Sequence, residues 1–227
     1  MRQNILIILA IIALQLISLI SCCQPGRPGI SSQVSLPLTQ VLELHTFITD
    51  PVTHTGLVAD GSGSCVVVDR RGYLVTCWHV CRDTQQVCAD INGESLVCTV
   101  VAHDETLDLA LVRVEHTFRN PTTWGNSTTL KQGDSLFVVG YPFDVCEAVS
   151  IGVLSGRVEI HGCETLMTDA AINPGNSGGG VFDGNGALVG LPSRIYSAQG
   201  LQANVGIGFA IPGNTVHRFV ILNLPPN

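Results

Sequence analysis

The sequence predicts an all-β fold, a barrel or sandwich, in two strand-rich halves that suggest paired barrels. Three observations lead there. The apolar runs are short and rich in β-branched residues, as in "CVVVD", "LVTCW", "LALVRV", "LFVVG" and "ALVGL", a length and composition that suit buried strands rather than helices. Turn residues punctuate them, with 24 Gly and 11 Pro in 227 residues and turns such as "DRRGY" and "DGNG". A polar, turn-rich stretch from Phe118 to Asp134 then divides the chain. With 45% apolar residues the chain has ample material for a core.

The elements follow in order. Met1 to Asn4 carry one Arg, and Ile5 to Ile20 are apolar except for Gln15 and Ser18. This run is short for a membrane span and reads as a secretory signal over residues 1–21, with a signal anchor as the alternative. "LISC", Leu19 to Cys22, resembles the lipobox of bacterial lipoproteins, in which the cysteine takes lipid and becomes the mature N-terminus. Residues 22–36 form a Pro/Gly/Ser-rich tether. The globular part, 37–227, begins with the strand "QVLELHTFITD" and divides into a first barrel at about 37–117, a connector at 118–134 and a second barrel at 135–220. An exported, membrane-anchored envelope protein is the expectation, a freely secreted one the alternative.

Charge narrows the partners. A net charge of −7 with a single lysine, Lys131, argues against nucleic acid and against anionic membrane surfaces. "GSGS" at Gly61 to Ser64 and "GIG" at Gly206 to Gly208 lack the frame of a phosphate loop. No cofactor is expected. Nine cysteines fit an exported chain: with Cys22 lipidated, eight remain, and disulfides are expected among Cys23, Cys65, Cys77, Cys81, Cys88, Cys98, Cys146 and Cys163, with burial as small apolar residues the alternative for each.

"TDAAINPGNSGGGVFD", Thr168 to Asp183, places Ser177 in a glycine-rich loop. Glycine lets backbone N–H groups turn toward a developing oxyanion and keeps side chains out of the way of a substrate. A serine nucleophile also needs a base and a carboxylate that orients it. Among seven histidines, His79 stands out because it closes the strand "LVTCWHV", where a side chain can be aimed. Asp108 opens "LDLALVRV" after the turn "HDET", where a carboxylate is partly buried and wants a donor. Asp104 has a local job in that turn and is the weaker candidate.

"GSGS…DRRGYLVTCWHV", "HDETLDLALVRV", "TDAAINPGNSGG" and "GIGFAIP" resemble the successive motifs of the HtrA-type, DegP-like branch of trypsin-like serine proteases, in the same order from Gly61 to Pro212. The resemblance implies two perpendicular six-stranded β-barrels with the active site between them. It implies a serine endopeptidase acting on proteins or peptides through an acyl-enzyme, with Ser177 as nucleophile, His79 as base and Asp108 as orienting carboxylate. Gly175 and Ser177 would give the oxyanion N–H groups, with Asn176 shaping the loop. By the same resemblance the specificity pocket takes Ala171 as its floor, Gly190, Leu191, Pro192 and Ser193 as one wall, with Leu191 and Pro192 intruding, and Ile207, Gly208 and Phe209 as another. No charged residue stands among them, so cleavage after small or medium aliphatic residues is expected. Trp78 departs from the small residue usual in the family, and Cys77 and Cys81 bracket the base. Fifteen residues follow Pro212, so no PDZ domain is expected there. The family forms trimers, an oligomeric state that the resemblance alone does not carry over.

Two other readings compete. An inactive relative would bind peptides or support an envelope assembly. A metal site would use Cys77, His79 and Cys81, which alternate along the expected strand, but no second ligand pair follows at a suitable spacing and no metal is expected.

Overall fold

A computed structural model describes residues 36–195 and 206–226, with 194 and 195 described by their backbone alone. The expected signal, Cys22, Cys23 and nearly all of the tether lie outside the described residues. Twelve strands form two closed six-stranded antiparallel barrels. The first contains β1 (Val41–Thr49), β2 (Leu57–Asp69), β3 (Tyr73–Cys77), β4 (Gln86–Ile91), β5 (Glu94–Asp104) and β6 (Leu109–Val114), in spatial order β1-β2-β3-β6-β5-β4. The second contains β7 (Ser135–Gly140), β8 (Ala148–Ile160), β9 (Cys163–Thr168), β10 (Gly180–Phe182), β11 (Leu188–Ile195) and β12 (Gly208–Pro212), in the order β10-β11-β12-β9-β8-β7. Closure leaves neither sheet an open edge.

Period-two alternation fills both interiors. Cys65 and Val67 on β2, Val87, Ala89 and Ile91 on β4, and Ala110, Val112 and Val114 on β6 meet inside the first barrel. Leu136 and Val138 on β7 meet Leu154, Leu166, Val181, Val189 and Ala210 inside the second. Val66, Val75, Leu109 and Leu111, one step out of phase, are equally buried. Strands β2, β3 and β6 are therefore covered on both faces, which explains why they read as continuous apolar runs.

Among the described residues two α-helices complete the fold. The single turn α1 (Trp78–Cys81) follows β3 directly, and α2 (Gly213–Asn223) follows β12 behind Pro212. Pro212 starts α2, and Val216, Phe219 and Val220 bury one face of it. The seven described cysteines, Cys65, Cys77, Cys81, Cys88, Cys98, Cys146 and Cys163, are free thiols. The expected disulfides are thus corrected for this set: Cys65, Cys81 and Cys98 serve as small apolar residues inside the first barrel.

Candidate active site

His79 and Asp108 come from two connections of the first barrel, the one between β3 and β4 and the one between β5 and β6. His79 sits on α1 rather than at the end of a strand, because β3 stops at Cys77. Asp108 immediately precedes β6 and holds a positive φ of 57°, a strained geometry for a non-glycine residue and one that clusters at functional sites. The pair is closely matched. Asp108 Oδ2 lies 2.7 Å from His79 Nδ1, and Asp108 Oδ1 accepts from the His79 amide at 2.9 Å. The Ser193 hydroxyl donates to Oδ2 at 2.6 Å, and the Asp108 carbonyl accepts from the Trp78 amide at 3.1 Å. Burial alone pushes the Asp108 carboxyl upward, but His79, Ser193 and the His79 amide together outweigh it and hold the group below its ordinary value. Asp104 instead accepts from the Leu107 amide at 2.9 Å and closes the turn before Asp108.

Ser177 arrives from the second barrel on the loop between β9 and β10. Its hydroxyl donates to the Ser193 carbonyl at 3.3 Å, which places it beside the residue that also holds Asp108. Among the described residues, neither the Gly175 nor the Ser177 N–H has a protein acceptor, whereas the Asn176 N–H is spent on the Asn173 carbonyl at 3.0 Å. Asn176 is buried and donates to the Ala171 carbonyl at 3.4 Å, so its side chain braces the loop from inside. Gly175 has φ +95°, and a Cβ there would run into the Tyr141 carbonyl; Gly178 has φ +83°, and a Cβ there would strike Thr76 Oγ1 and the Ser64 carbonyl. Only glycine fits either position.

Ser64 was not singled out from the sequence. It is fully buried on β2. Its hydroxyl donates to the Gly175 carbonyl at 2.7 Å and accepts from the Tyr141 amide at 3.0 Å, and its amide donates to the Ser177 carbonyl at 2.9 Å. The first barrel thus grips the loop on either side of Ser177. The clue in the sequence was "GSGS" itself: a Cβ at Gly63 would strike the Val80 side chain of α1, so glycine lets β2 pass close beneath that turn.

The residues expected to form a specificity pocket separate. Leu191 on β11 is 0% exposed, and the Cβ direction of Gly190 meets the Ile211 carbonyl, Leu166 and Ala210, so neither presents a surface to a bound side chain. Pro192 is buried too, its carbonyl accepting from the Gly178 N–H at 2.9 Å and from Cys77 Sγ at 3.4 Å. The expectation that Leu191 and Pro192 intrude is corrected. A bulge between Pro192 and Arg194 breaks the alternation and turns Ser193 to Asp108. Ala171 is exposed, Ile207 and Phe209 are half-buried, and Gly208 packs against Ile172.

On the His79 side, a cleft of about 590 Å³ is lined by Trp78, His79, Arg82, Asp83, Glu105, Asp108 and Ser193. Trp78 stacks on His103 with centroids 4.0 Å apart, which fixes the first residue of α1. Cys81 points into the barrel core, so it does not join Cys77 and His79 as the alternating pattern suggested; Asp108 takes the third place beside them.

The pattern extends to known proteins. Protease Do-like 1, chloroplastic, of Arabidopsis thaliana is 38% identical over 174 residues, covering 72% of this chain and 39% of that protein. Periplasmic serine endoprotease DegP of Salmonella typhimurium is 37% identical over 163 residues, covering 68% of this chain and 34% of that one. The chain therefore spans little more than a third of these relatives' length. Among solved structures, HtrA-type protease AlgW with tripeptide superposes with a TM-score of 0.73 at 30% identity, covering 86% of this chain and 64% of that one. The family model described as trypsin-like peptidase domain matches residues 63–191, more than half of the sequence. On that match, and on two closed barrels that bring a serine loop to a His–Asp pair, the chain belongs to the trypsin-like peptidase family.

Proposed function

We propose that the chain is a serine endopeptidase that cuts protein substrates by way of an acyl-enzyme. The observation that carries this reading is the convergence of the His79–Asp108 pair and Ser177 on Ser193, beside two N–H groups without protein acceptors. Ser177 Oγ attacks the scissile carbonyl while His79 Nε2 takes its proton, and the Gly175 and Ser177 N–H groups receive the negative charge that forms on the carbonyl oxygen. Asp108 keeps the Nδ1 proton of His79 facing inward and stabilises the imidazolium. His79 then protonates the leaving amine, and a water, activated by the same base, hydrolyses the ester. The Ser177–Ser193 hydrogen bond belongs to the resting enzyme, whose nucleophile swings to His79 when substrate arrives.

Ala171, Ile207 and Phe209 carry no charge, so residues of small or medium aliphatic size are the preferred side chains before the cut bond. The apolar segment from Ile5 to Ile20, "LISC" and the periplasmic names of similar relatives support export to the cell envelope with lipid on Cys22. The test is labelling with a fluorophosphonate, together with a cut-site profile on unfolded casein. Wild type should label and cleave, and Ser177→Ala should do neither. Cleavage that persists in Ser177→Ala would overturn the assignment.

A further inference from the structure

We propose that Cys77, His79 and Asp108 form an inhibitory site for a thiophilic divalent cation such as Zn²⁺, built into the catalytic pair. The proposal rests on the proteolytic reading for its consequence but not for its chemistry. One ligand atom from each of the three side chains lies within 4.8 Å of the others. Thiolate, imidazole and carboxylate are the ordinary ligands of zinc, and three of them with one open position make a binding site. Ser193 Oγ, already 2.6 Å from Asp108, stands beside the set.

Charge favours this occupant. Cys77 is fully buried and its thiol donates to the Pro192 carbonyl at 3.4 Å, so the free protein holds it with its proton. Coordination expels that proton, and a thiolate with a carboxylate balances a divalent cation in a buried place where any unbalanced charge is costly. His79 and Asp108 line the open cleft, which gives the cation a route from solvent.

Inhibition follows from the imidazole. Catalysis needs the Nδ1 proton toward Asp108 and a free lone pair on Nε2. A metal on Nδ1 requires the opposite tautomer: Nδ1 gives up its proton, Nε2 carries one, and His79 can no longer accept from Ser177. Cys77 makes the difference, because His79 and Asp108 alone offer a cation only two ligands.

The experiment uses protein carrying Cys146→Ser and Cys163→Ser, which removes the two described thiols that are not buried. Zn²⁺ should inhibit peptide cleavage reversibly to a chelator, and Cys77→Ser should weaken that inhibition by at least the roughly 10–100-fold seen when even an outer partner of a metal site is lost. Co²⁺ should give a thiolate-to-metal charge-transfer band with one equivalent bound. That band should appear equally in the Ser177→Ala protein, be absent in Cys77→Ser and Cys77→Ala, and persist in Cys81→Ser. Should the Cys77 variants fail to fold, His79→Ala in the Ser177→Ala background must remove the band instead. Lack of any band, or a band and inhibition unchanged in folded Cys77 variants, overturns the site. A band in protein that cleaves nothing would leave the site standing and refute the peptidase reading alone.

Discussion

Ser64 and Gly175 stand 111 positions apart in sequence and are joined by a 2.7 Å hydrogen bond from the buried hydroxyl to the glycine carbonyl. That carbonyl shares its peptide plane with the Asn176 N–H, which donates to the Asn173 carbonyl at 3.0 Å, so the bond helps decide which amides of the loop face outward. Ser64→Ala should lower kcat about tenfold with KM little changed, less than the roughly 10²–10³-fold cost of deleting an oxyanion donor outright. Fluorophosphonate labelling should slow in parallel. Equal loss through KM would place the effect in substrate binding instead.

Ser177→Ala, His79→Ala and Asp108→Asn should each remove nearly all peptide cleavage while leaving the fold intact, because the three groups act as a unit. The Asp→Asn change alone costs on the order of 10⁴-fold in turnover in related enzymes by stabilising the wrong imidazole tautomer. Asp104→Asn should cost little, since its carboxylate serves a local turn. A near-normal rate in Asp108→Asn would remove Asp108 from the mechanism.

Leu191→Ala should cost about 2–5 kcal/mol of stability through the cavity left at a fully buried position and leave the cut-site profile as in wild type. A changed preference at full stability would return Leu191 to the specificity pocket.

Stability should depend on pH through Glu43. Burial first, then a hydrogen bond with Asp144 and the negative charges of Asp144 and Asp90, raise its carboxyl from 4.5 to about 7. Between those values the native protein keeps a proton that the unfolded chain has released, so stability falls as pH rises through this window and then levels off. Glu43→Gln should flatten that part of the curve in urea unfolding. An unchanged slope would assign it to other groups.

Much of the fold was legible because each barrel strand writes its inward face at every second residue, as Cys65 and Val67 or Leu136 and Val138 do. Ser177, His79 and Asp108 were legible as residues whose types and local turns suit one chemistry. What escaped notice was set by geometry that sequence spacing does not encode. A bulge after Pro192 reassigns Ser193 from pocket wall to partner of Asp108. A strand that stops at Cys77 puts His79 on a helical turn and separates it from Cys81. Helix α2 was signalled by Pro212 and by Val216, Phe219 and Val220 at helical spacing, yet the stretch was read as the end of the second barrel.

The proposed catalytic groups are divided between the two barrels, with His79 and Asp108 in one and Ser177 in the other. During synthesis, the proposed base His79 leaves the ribosome well before the proposed nucleophile Ser177. Ser177 emerges later, and its loop takes shape only once Ser64 is there to hold it. On the proposed mechanism a chain cuts nothing until both halves have docked. By the same dependence, parting the barrels would by itself silence the proposed activity.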